Sequence, residues 1–512
     1  MTYITTPIYY VNDDPHIGHI YTTISADVLA RFSRLMGHPT HLLTGTDEHA
    51  LKVVDAAKLR GVETADWAQQ KAAVFANAFI QYGIEADDFI RTSEPRHIEQ
   101  VQKRIKELLA SDDIYLGEYE GWYDLGQEEY VSDLKAQAHD YLSPINKKPL
   151  VRRQEPCFYF RLSAYADEVK NLIESDTLKI RPVARRQEIL ARIRDGINDI
   201  PCSRPRVEQW GVAVPGHEDQ TVYVWIDALL NYLTAVDTDD KRAFWPPTIQ
   251  MVGKDILWFH ALIWPAMLLA LQKKSPWLTL PETVRAHGFW IRDGEKMSKS
   301  MGNFISLPVL NAYVDTFGRD SIRFFLMMGG PNESSDADFS EARLHETYTA
   351  LLANTIGNCC SRVIAMISKY CDAKIPKADI KSGFPIAQVT EAVNIAYAAA
   401  MEGEFPALIN EALKIVRLTD GFIQSSQPFQ LAKDPAKHKE VCAILHDSLE
   451  ALRLASILLW PVMPSRMETF WSAISYEKNL STPNNILTWG QLSVGSPVHA
   501  LTPLFPRIDL PT

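Results

Sequence analysis

Residues 3–11 carry a dense run of β-branched and aromatic side chains, which predicts a buried strand despite Pro7. Asn12-Asp13-Asp14-Pro15 is a turn cluster. From Gly18 onward Ile20, Ile24, Val28, Leu29, Phe32 and Leu35 recur at helical spacing until Gly37 ends the pattern. Residues 41–47 then predict a second, parallel strand. Strand, helix and strand open a doubly wound sheet, in which ligands sit beyond the C-terminal strand ends. Asp47 falls at such an end. Helical patterns follow over residues 67–79 and 98–109.

The pattern changes near Tyr115, where short alternating pieces predict small antiparallel strands. It changes back near Thr221. Residues 222–227 and 249–255 predict further strands, the first feeding a helix and the second leading into a helix with His260, Trp264 and Met267. Residues 289–292 followed by Asp293-Gly294 signal a hairpin. Beyond Leu344 the chain is almost wholly helical. Leu344, Tyr348, Leu351, Ile356, Cys359, Val363 and Ile367 form one stripe, and similar stripes start at Val389, Phe405 and Val441. The expected fold is α/β, a Rossmann-like doubly wound parallel-sheet domain with a small β-rich insert, followed by an all-α helix bundle. The expected boundaries are 1–114 and 221–290 for the two halves of the sheet domain, 115–220 for the insert, 291–343 for a loop and linking region, and 344–512 for the bundle.

Composition narrows the class. Of 512 residues, 46% are hydrophobic and 22% charged, as in an ordinary globular protein, and the length suits several domains. A net charge of −11 means that any nucleic acid must be met by local basic surfaces. Candidates are Lys147-Lys148 with Arg152-Arg153, the stretch from Arg181 to Arg194, and Lys273-Lys274, each of which also reads as a solvated face. The six cysteines include no Cys-x-x-Cys pair, which fits free thiols in a reducing compartment. With a strand expected from Tyr3, no leader peptide is expected. The apolar run over residues 256–271 is short for a membrane span and is interrupted by His260 and Pro265. A cytoplasmic protein without a membrane segment is expected.

The chemistry is concentrated in two places. At His16-Ile17-Gly18-His19 a strand, a turn and a helix start come together. Free N–H groups and the positive dipole end there favour an anion. The histidines add directional donors, and Gly18 lets a nucleotide approach the backbone. Far downstream, Lys296-Met297-Ser298-Lys299-Ser300 forms a basic loop suited to closing over a polyphosphate. Alone, that loop reads as a solvated charge run.

Together the two elements resemble the paired signatures of class I aminoacyl-tRNA synthetases, and the residues around them resemble the methionyl-tRNA synthetase family. The resemblance implies ATP binding by His16, Gly18, His19, Lys296, Ser298, Lys299 and Ser300. Of these, His16, His19, Lys296 and Lys299 would be catalytic. It implies a methionine pocket of Ile8, Tyr10, Asp47, Trp225, Ala228, Tyr232, Ile256 and His260. There Asp47 would meet the α-ammonium, aromatic walls would hold the thioether, and Tyr232 and His260 could contact its sulfur. It implies Arg204 at the tRNA acceptor end. For a CAU anticodon it implies Asn358 and Arg362, with Phe429 where the family usually has Trp. Ala50-Leu51 stands where the family more often has Gly-Gln. ATP would bring Mg²⁺ on its phosphates.

Many family members carry zinc-knuckle cysteines in the insert. Residues 123–127 here have none, so no structural zinc and no other resident metal is expected. The implied partners are L-methionine, ATP and tRNA(Met), elongator and initiator, with no obligate protein partner. A monomer is expected, since the appendage that dimerises some members is not seen. Alternatives left open are another His-x-Gly-His nucleotidyl transferase, a synthetase for Cys, Leu, Ile or Val, and a tRNA-binding paralogue without catalysis. Intact His16, His19, Asp47, Lys296 and Lys299 speak against the last.

Overall fold

The computed structural model describes residues 1–124, 129–131, 133–143, 147–206, 210–292, 294–297, 302–332, 335–477 and 486–508. Its main sheet has six strands. They are β1 (Thr2–Tyr10), β2 (Thr40–Asp47), β3 (Asp88–Arg91), β4 (Lys179–Arg181), β5 (Ile249–Gly253) and β6 (Thr283–His287), in the order β3-β2-β1-β5-β6-β4. All neighbours run parallel. The chain builds outward from β1 through β2 to β3, then places β5 on the other side of β1. That reversal opens a crevice beyond the C-terminal ends of β1 and β5. Pro7 sits where the β1–β2 register shifts, between Thr5 and Ile8, so its missing N–H costs little pairing.

Both faces of the sheet are covered, as a parallel sheet requires. Ile4, Leu42, Ile249 and Met251 point into one core, shared with helix α1 (Ile17–Leu35) and the C-terminal bundle. Tyr3, Leu43, Ile90, Val252 and Val284 point into a second core on the other face.

The insert differs from expectation. Residues 114–124 form one long strand, Ile114–Asp124, paired antiparallel with Val151–Phe160 from Ile114↔Phe160 to Tyr123↔Val151. The stretch 115–220 is also not a separate unit, because β4 lies within it and pairs with β6 in the main sheet. Trp225 lies in a helix rather than a strand. The strand His217–Val222 stops at Val222, and α2 (Val224–Leu229) starts two residues later. Ile226 and Leu229 are buried from that helix, so packing overrides the β-branched local preference.

The C-terminal part is the expected bundle, with α3 (Asn358–Tyr370), α4 (Phe405–Ser426) and α5 (His438–Leu459) among its helices. A π-helical stretch, Tyr348–Gly357, precedes α3. Its wider turn shifts the buried stripe by one residue, so Leu352 is buried and Leu351 only half-buried. Residues Glu341–Tyr370 are long and apolar enough to cross a membrane by length and composition, yet Leu344, Tyr348, Ile356, Val363 and Ile367 from it pack in the bundle core.

Sheet domain and bundle are joined by a buried charge cluster. Arg323, fully buried, donates to Asp27 Oδ2 at 2.7 Å and to the carbonyls of Pro461 and Val462 at 2.9 Å. Asp27 also accepts from Arg31 Nε at 2.9 Å. Such a cluster is satisfied on all sides only when α1 and the end of α5 are in register.

Candidate active site

Helix α1 opens with its two histidines in a reciprocal cap. Gly18 N–H donates to His16 Nδ1 at 3.0 Å, and His16 N–H donates to His19 Nδ1 at 3.2 Å. A nitrogen that accepts cannot carry the proton, so in both neutral rings the proton sits on Nε2. The donor each ring offers is therefore its Nε2–H, at a helix N-terminus. The rings stack at 3.8 Å between centroids. Burial lowers His16 from the ordinary histidine value to about 4, and burial with the neighbouring His16 holds His19 well below that ordinary value too. Both are therefore neutral donors near pH 7. Gly18 has a more local reason than close nucleotide approach. A Cβ there would meet His16 Cε1 at 2.9 Å, so glycine is what allows the ring to fold back as a cap.

The second phosphate element is anchored on the first. The Trp290–Arg292 strand pairs antiparallel with Glu295–Lys296, the hairpin expected around Asp293-Gly294, and Gly294 takes a φ of 75°. Lys296 is exposed, its ammonium 5.6 Å from the Phe289 ring centroid. Ser298, Lys299 and Ser300 lie outside the described residues. Just beyond them the chain returns to the histidines. Ile17 N–H donates to Ile305 O, His16 pairs with Ser306 in an isolated bridge, and Phe304 meets the His16 ring edge-on at 5.1 Å. Residues nearly three hundred positions apart thus share one wall. Sequence reading missed Phe304, whose only signal is its place just after the loop.

Beside this wall, at the strand ends, stand the residues that the resemblance implies for methionine. Tyr10 and Asp47 are the last residues of β1 and β2 and stand opposite each other in register. Asp47 is 3% exposed and its Oδ1 has no partner. Burial, then the charge of Asp227, raises its pKa well above the ordinary carboxylate value, while the His49 backbone N–H works against them. A buried acceptor without a donor, held at the rim of a crevice, is built to receive a cation. Ala50 takes ordinary extended angles (φ −68°, ψ 141°), so the segment does not need the glycine common in the family.

The aromatic wall comes from two helices. Trp225 on α2 stacks on Phe259 at 3.9 Å and 9°, and Tyr10 meets Trp225 edge-on at 6.3 Å. Phe259 was not anticipated, although it adjoins His260. Ala228 is buried on α2, and Ile8 and Ile256 are half-buried. Nearby, His260 Nδ1–H donates to Ile256 O at 2.9 Å, so the Tyr232 hydroxyl donates to His260 Nε2 at 2.7 Å. Burial holds His260 near 4, hence neutral. The expectation that both groups could contact sulfur is thereby narrowed. Their protons are already committed to each other and to the backbone, leaving only hydroxyl lone pairs and ring faces.

Comparison with known proteins bears on what this arrangement is for. A family profile described as "tRNA synthetases class I (M)" matches residues 2–139 and 136–364. The methionine--tRNA ligase of Halalkalibacterium halodurans is 36% identical over 528 residues, covering 99% of this chain and 78% of that protein. That of Rickettsia felis is 36% identical, covering 99% of this chain and 98% of its own. Mycobacterium tuberculosis methionyl-tRNA synthetase in complex with methionyl-adenylate superposes with a TM-score of 0.88 at 32% identity, covering 99% of both chains. The chain belongs to the class I methionyl-tRNA synthetase family.

The tRNA-facing candidates of a methionyl-tRNA synthetase are spread over other elements. Arg204 lies on the short strand Ser203–Pro205, with its guanidinium 4.8 Å from the Tyr223 ring and 5.6 Å from Tyr119. Cys202 beside it is 3% exposed and serves as a small core filler. Asn358 is exposed at the start of α3, and Arg362 lies one turn on. Arg362 Nη1 is 3.0 Å from Asp420 Oδ1 of α4, and both side chains are a third exposed. Phe429 is 41% exposed on the separate short helix Pro428–Leu431.

The basic stretches read as possible RNA surfaces are largely committed elsewhere. Arg181 and Arg186 pair with Asp176, Arg185 with Glu188 and Arg194 with Glu174, while Arg192 stacks on Trp258 and Lys273 pairs with Asp113. All six cysteines are free thiols. Among the described residues no three His, Cys, Asp or Glu side chains converge as a metal site, and Leu125, Gly126 and Gln127 of the knuckle-equivalent stretch lie outside them.

Proposed function

We propose that this site joins L-methionine to tRNA(Met) in two steps. A carboxylate oxygen of methionine attacks the α-phosphorus of Mg²⁺-bound ATP, the bond to the β-phosphate bridging oxygen breaks, and pyrophosphate leaves. The methionyl group then passes from the adenylate to the terminal adenosine of elongator or initiator tRNA, and AMP is released. The observation that carries this reading is the pair of neutral histidines with both Nδ1 atoms capped by backbone N–H groups, packed on the root of the lysine loop. Donors fixed before the reaction cost no reorganisation when charge moves onto the phosphoryl oxygens.

The residue roles rest on the family resemblance and, for the described residues, on where they stand. His16 and His19 donate to phosphate oxygens, and Lys296 and Lys299 hold the departing pyrophosphate. Ser298, Ser300 and Gly18 complete the ATP-binding set. Asp47 takes the α-ammonium, with Ile8 and Tyr10 beside it. Trp225, Ala228, Ile256, Tyr232 and His260 enclose the thioether. Arg204 serves the acceptor end, and Asn358, Arg362 and Phe429 serve the anticodon.

ATP–pyrophosphate exchange with each amino acid in turn is the direct test. Exchange with methionine alone is expected. Exchange supported best by a branched aliphatic or by cysteine would reject the pocket assignment, and none with any amino acid would reject catalysis. Metal analysis of chelator-washed protein should show no stoichiometric zinc, and one tightly held zinc per chain would overturn that reading.

A further inference from the structure

The segment Asp47-Glu48-His49 is pinned by side chains from distant parts of the chain. The Glu48 carboxylate accepts from Thr46 Oγ1 at 2.9 Å and from Arg91 Nε at 2.7 Å. Glu48 N–H donates to Thr92 Oγ1 at 2.9 Å, and Glu48 O accepts from Trp210 Nε1 at 2.6 Å. The His49 ring is held by a residue 178 positions away, with Nδ1 at 2.6 Å from Asp227 Oδ2. The other oxygen of Asp227 takes His97 Nε2 at 2.9 Å, and Thr234 Oγ1 stands 3.0 Å from His97 Nδ1. Asp47 Oδ1, by contrast, is buried without a partner.

Asp227 is 1% exposed, with both oxygens taken by histidines. It sits on α2 between Trp225 and Ala228, so the helix that supplies the thioether wall also grips the segment that supplies the ammonium acceptor. Burial alone would push Asp227 up, but His49 and His97 outweigh it and hold it ionised, well below the carboxylate range. A buried carboxylate with both oxygens bonded is a rigid strut between two walls of a pocket.

We propose that Asp227, acting through His49, is a positioning residue for amino-acid recognition. It fixes the Asp47-Glu48-His49 segment so that the free Asp47 oxygen meets the substrate's α-ammonium. The inference rests on the methionine reading of the site and deepens it. The bond that matters joins residues 178 positions apart in the chain, and neither signature motif contains it.

The test measures binding of three ligands by calorimetry: methionine, methioninol, which keeps the ammonium but lacks the carboxylate, and the methionine analogue with hydrogen in place of the ammonium. Wild type is compared with Asp227→Asn, His49→Ala and His49→Gln. Asp227→Asn and His49→Ala should weaken methionine and methioninol about tenfold or more, the scale of one misplaced charge-assisted contact. The analogue without ammonium should be bound as by wild type, and KM for ATP should not move. His49→Gln, whose amide can still donate to Asp227, should recover most of the loss. Equal weakening of all three ligands would mean that Asp227 only holds the fold, and no weakening of methionine would also overturn the proposal. Should Asp227→Asn fail to fold, the two His49 variants carry the same decision. Failure of wild type to bind methionine at all would instead sink the proposed function.

Discussion

His16 caps one helix and Arg362 lies a turn into another, and each is assigned to contact a nucleic-acid component. Their surroundings are opposite. The His16 ring is locked by the Gly18 N–H on its Nδ1, stacked on His19 and met edge-on by Phe304, which leaves Nε2–H as its donor. Arg362 is a third exposed and leans on a single carboxylate from the neighbouring helix. The first arrangement suits bond making, where donors must stand ready for charge that exists only briefly. The second suits reading a large, incoming surface, where side chains adjust on contact. Losses should therefore be steep and confined to chemistry at the histidine turn, and shallower and confined to tRNA at the bundle.

The largest effect is expected at the histidine turn. His19→Ala, or Lys299→Ala in the loop, should lower kcat for ATP–pyrophosphate exchange by roughly 10²–10³-fold, the usual cost of one preorganised donor. Because His16 and His19 are neutral well below the ordinary histidine value, kcat should show no limb near pH ~6.5 from either. Exchange that survives both substitutions would place the chemistry elsewhere and erase the contrast.

Next comes Arg362→Ala. It removes a charge-assisted contact worth about 1–3 kcal/mol at a base edge, or roughly one to two decades. The loss should appear in kcat/KM for tRNA aminoacylation and in discrimination against non-CAU anticodons, at fixed salt. Exchange, which needs no tRNA, should hardly change. A parallel fall in exchange would mean that Arg362 supports the fold across the domain junction.

The proposed methionine site offers a pH test between these extremes. Burial and Asp227 raise Asp47, so on acidification it loses its charge earlier than an ordinary carboxylate of about 3.9. Only the ionised form pairs with the ammonium. KM for methionine should then climb as pH falls, by up to about tenfold per unit below the raised value, since protonation competes directly with binding. KM for ATP should stay level over the same range. A methionine KM that is flat until the ordinary carboxylate range would deny Asp47 the ammonium.

What the sequence reveals of this comparison follows from how local each feature is. The strand–turn–helix around His16, the hairpin before Lys296 and the bundle stripes are written in short-range periodicity, and the structure has all of them. Strand β4 is three residues long and has no pattern of its own, so its place in the main sheet depends on pairing with β6 across about a hundred residues. The π-helical step at Tyr348–Gly357 moves the buried stripe from Leu351 to Leu352, which a fixed helical period cannot anticipate. Within the site the named residues are legible because a family pattern carries them. The bonds that set their roles are not. Nδ1 capping of the histidines, the Tyr232–His260 pairing and the Trp225–Phe259 stack each depend on which atom faces which, and composition is silent on that.

The smallest expected effect asks what Asp420 does for Arg362. The pair is partly exposed, so its own contribution to stability is about 0–1 kcal/mol, and Asp420→Ala should leave melting temperature and exchange almost unchanged. Its effect on tRNA can take either sign. If Asp420 orients the guanidinium toward the anticodon, its removal should lower kcat/KM for tRNA a few-fold, within what about 1 kcal/mol allows, and erode CAU selectivity. If it competes with RNA for the same N–H groups, its removal should raise affinity instead. A bare loss of negative charge would also raise affinity, but equally for every anticodon. We expect the orienting role, because one oxygen on Nη1 leaves the guanidinium's other N–H donors for a base. The double variant separates these cases. If Asp420 works only through Arg362, adding Asp420→Ala to Arg362→Ala should change nothing further, and any extra change measures what Asp420 does alone.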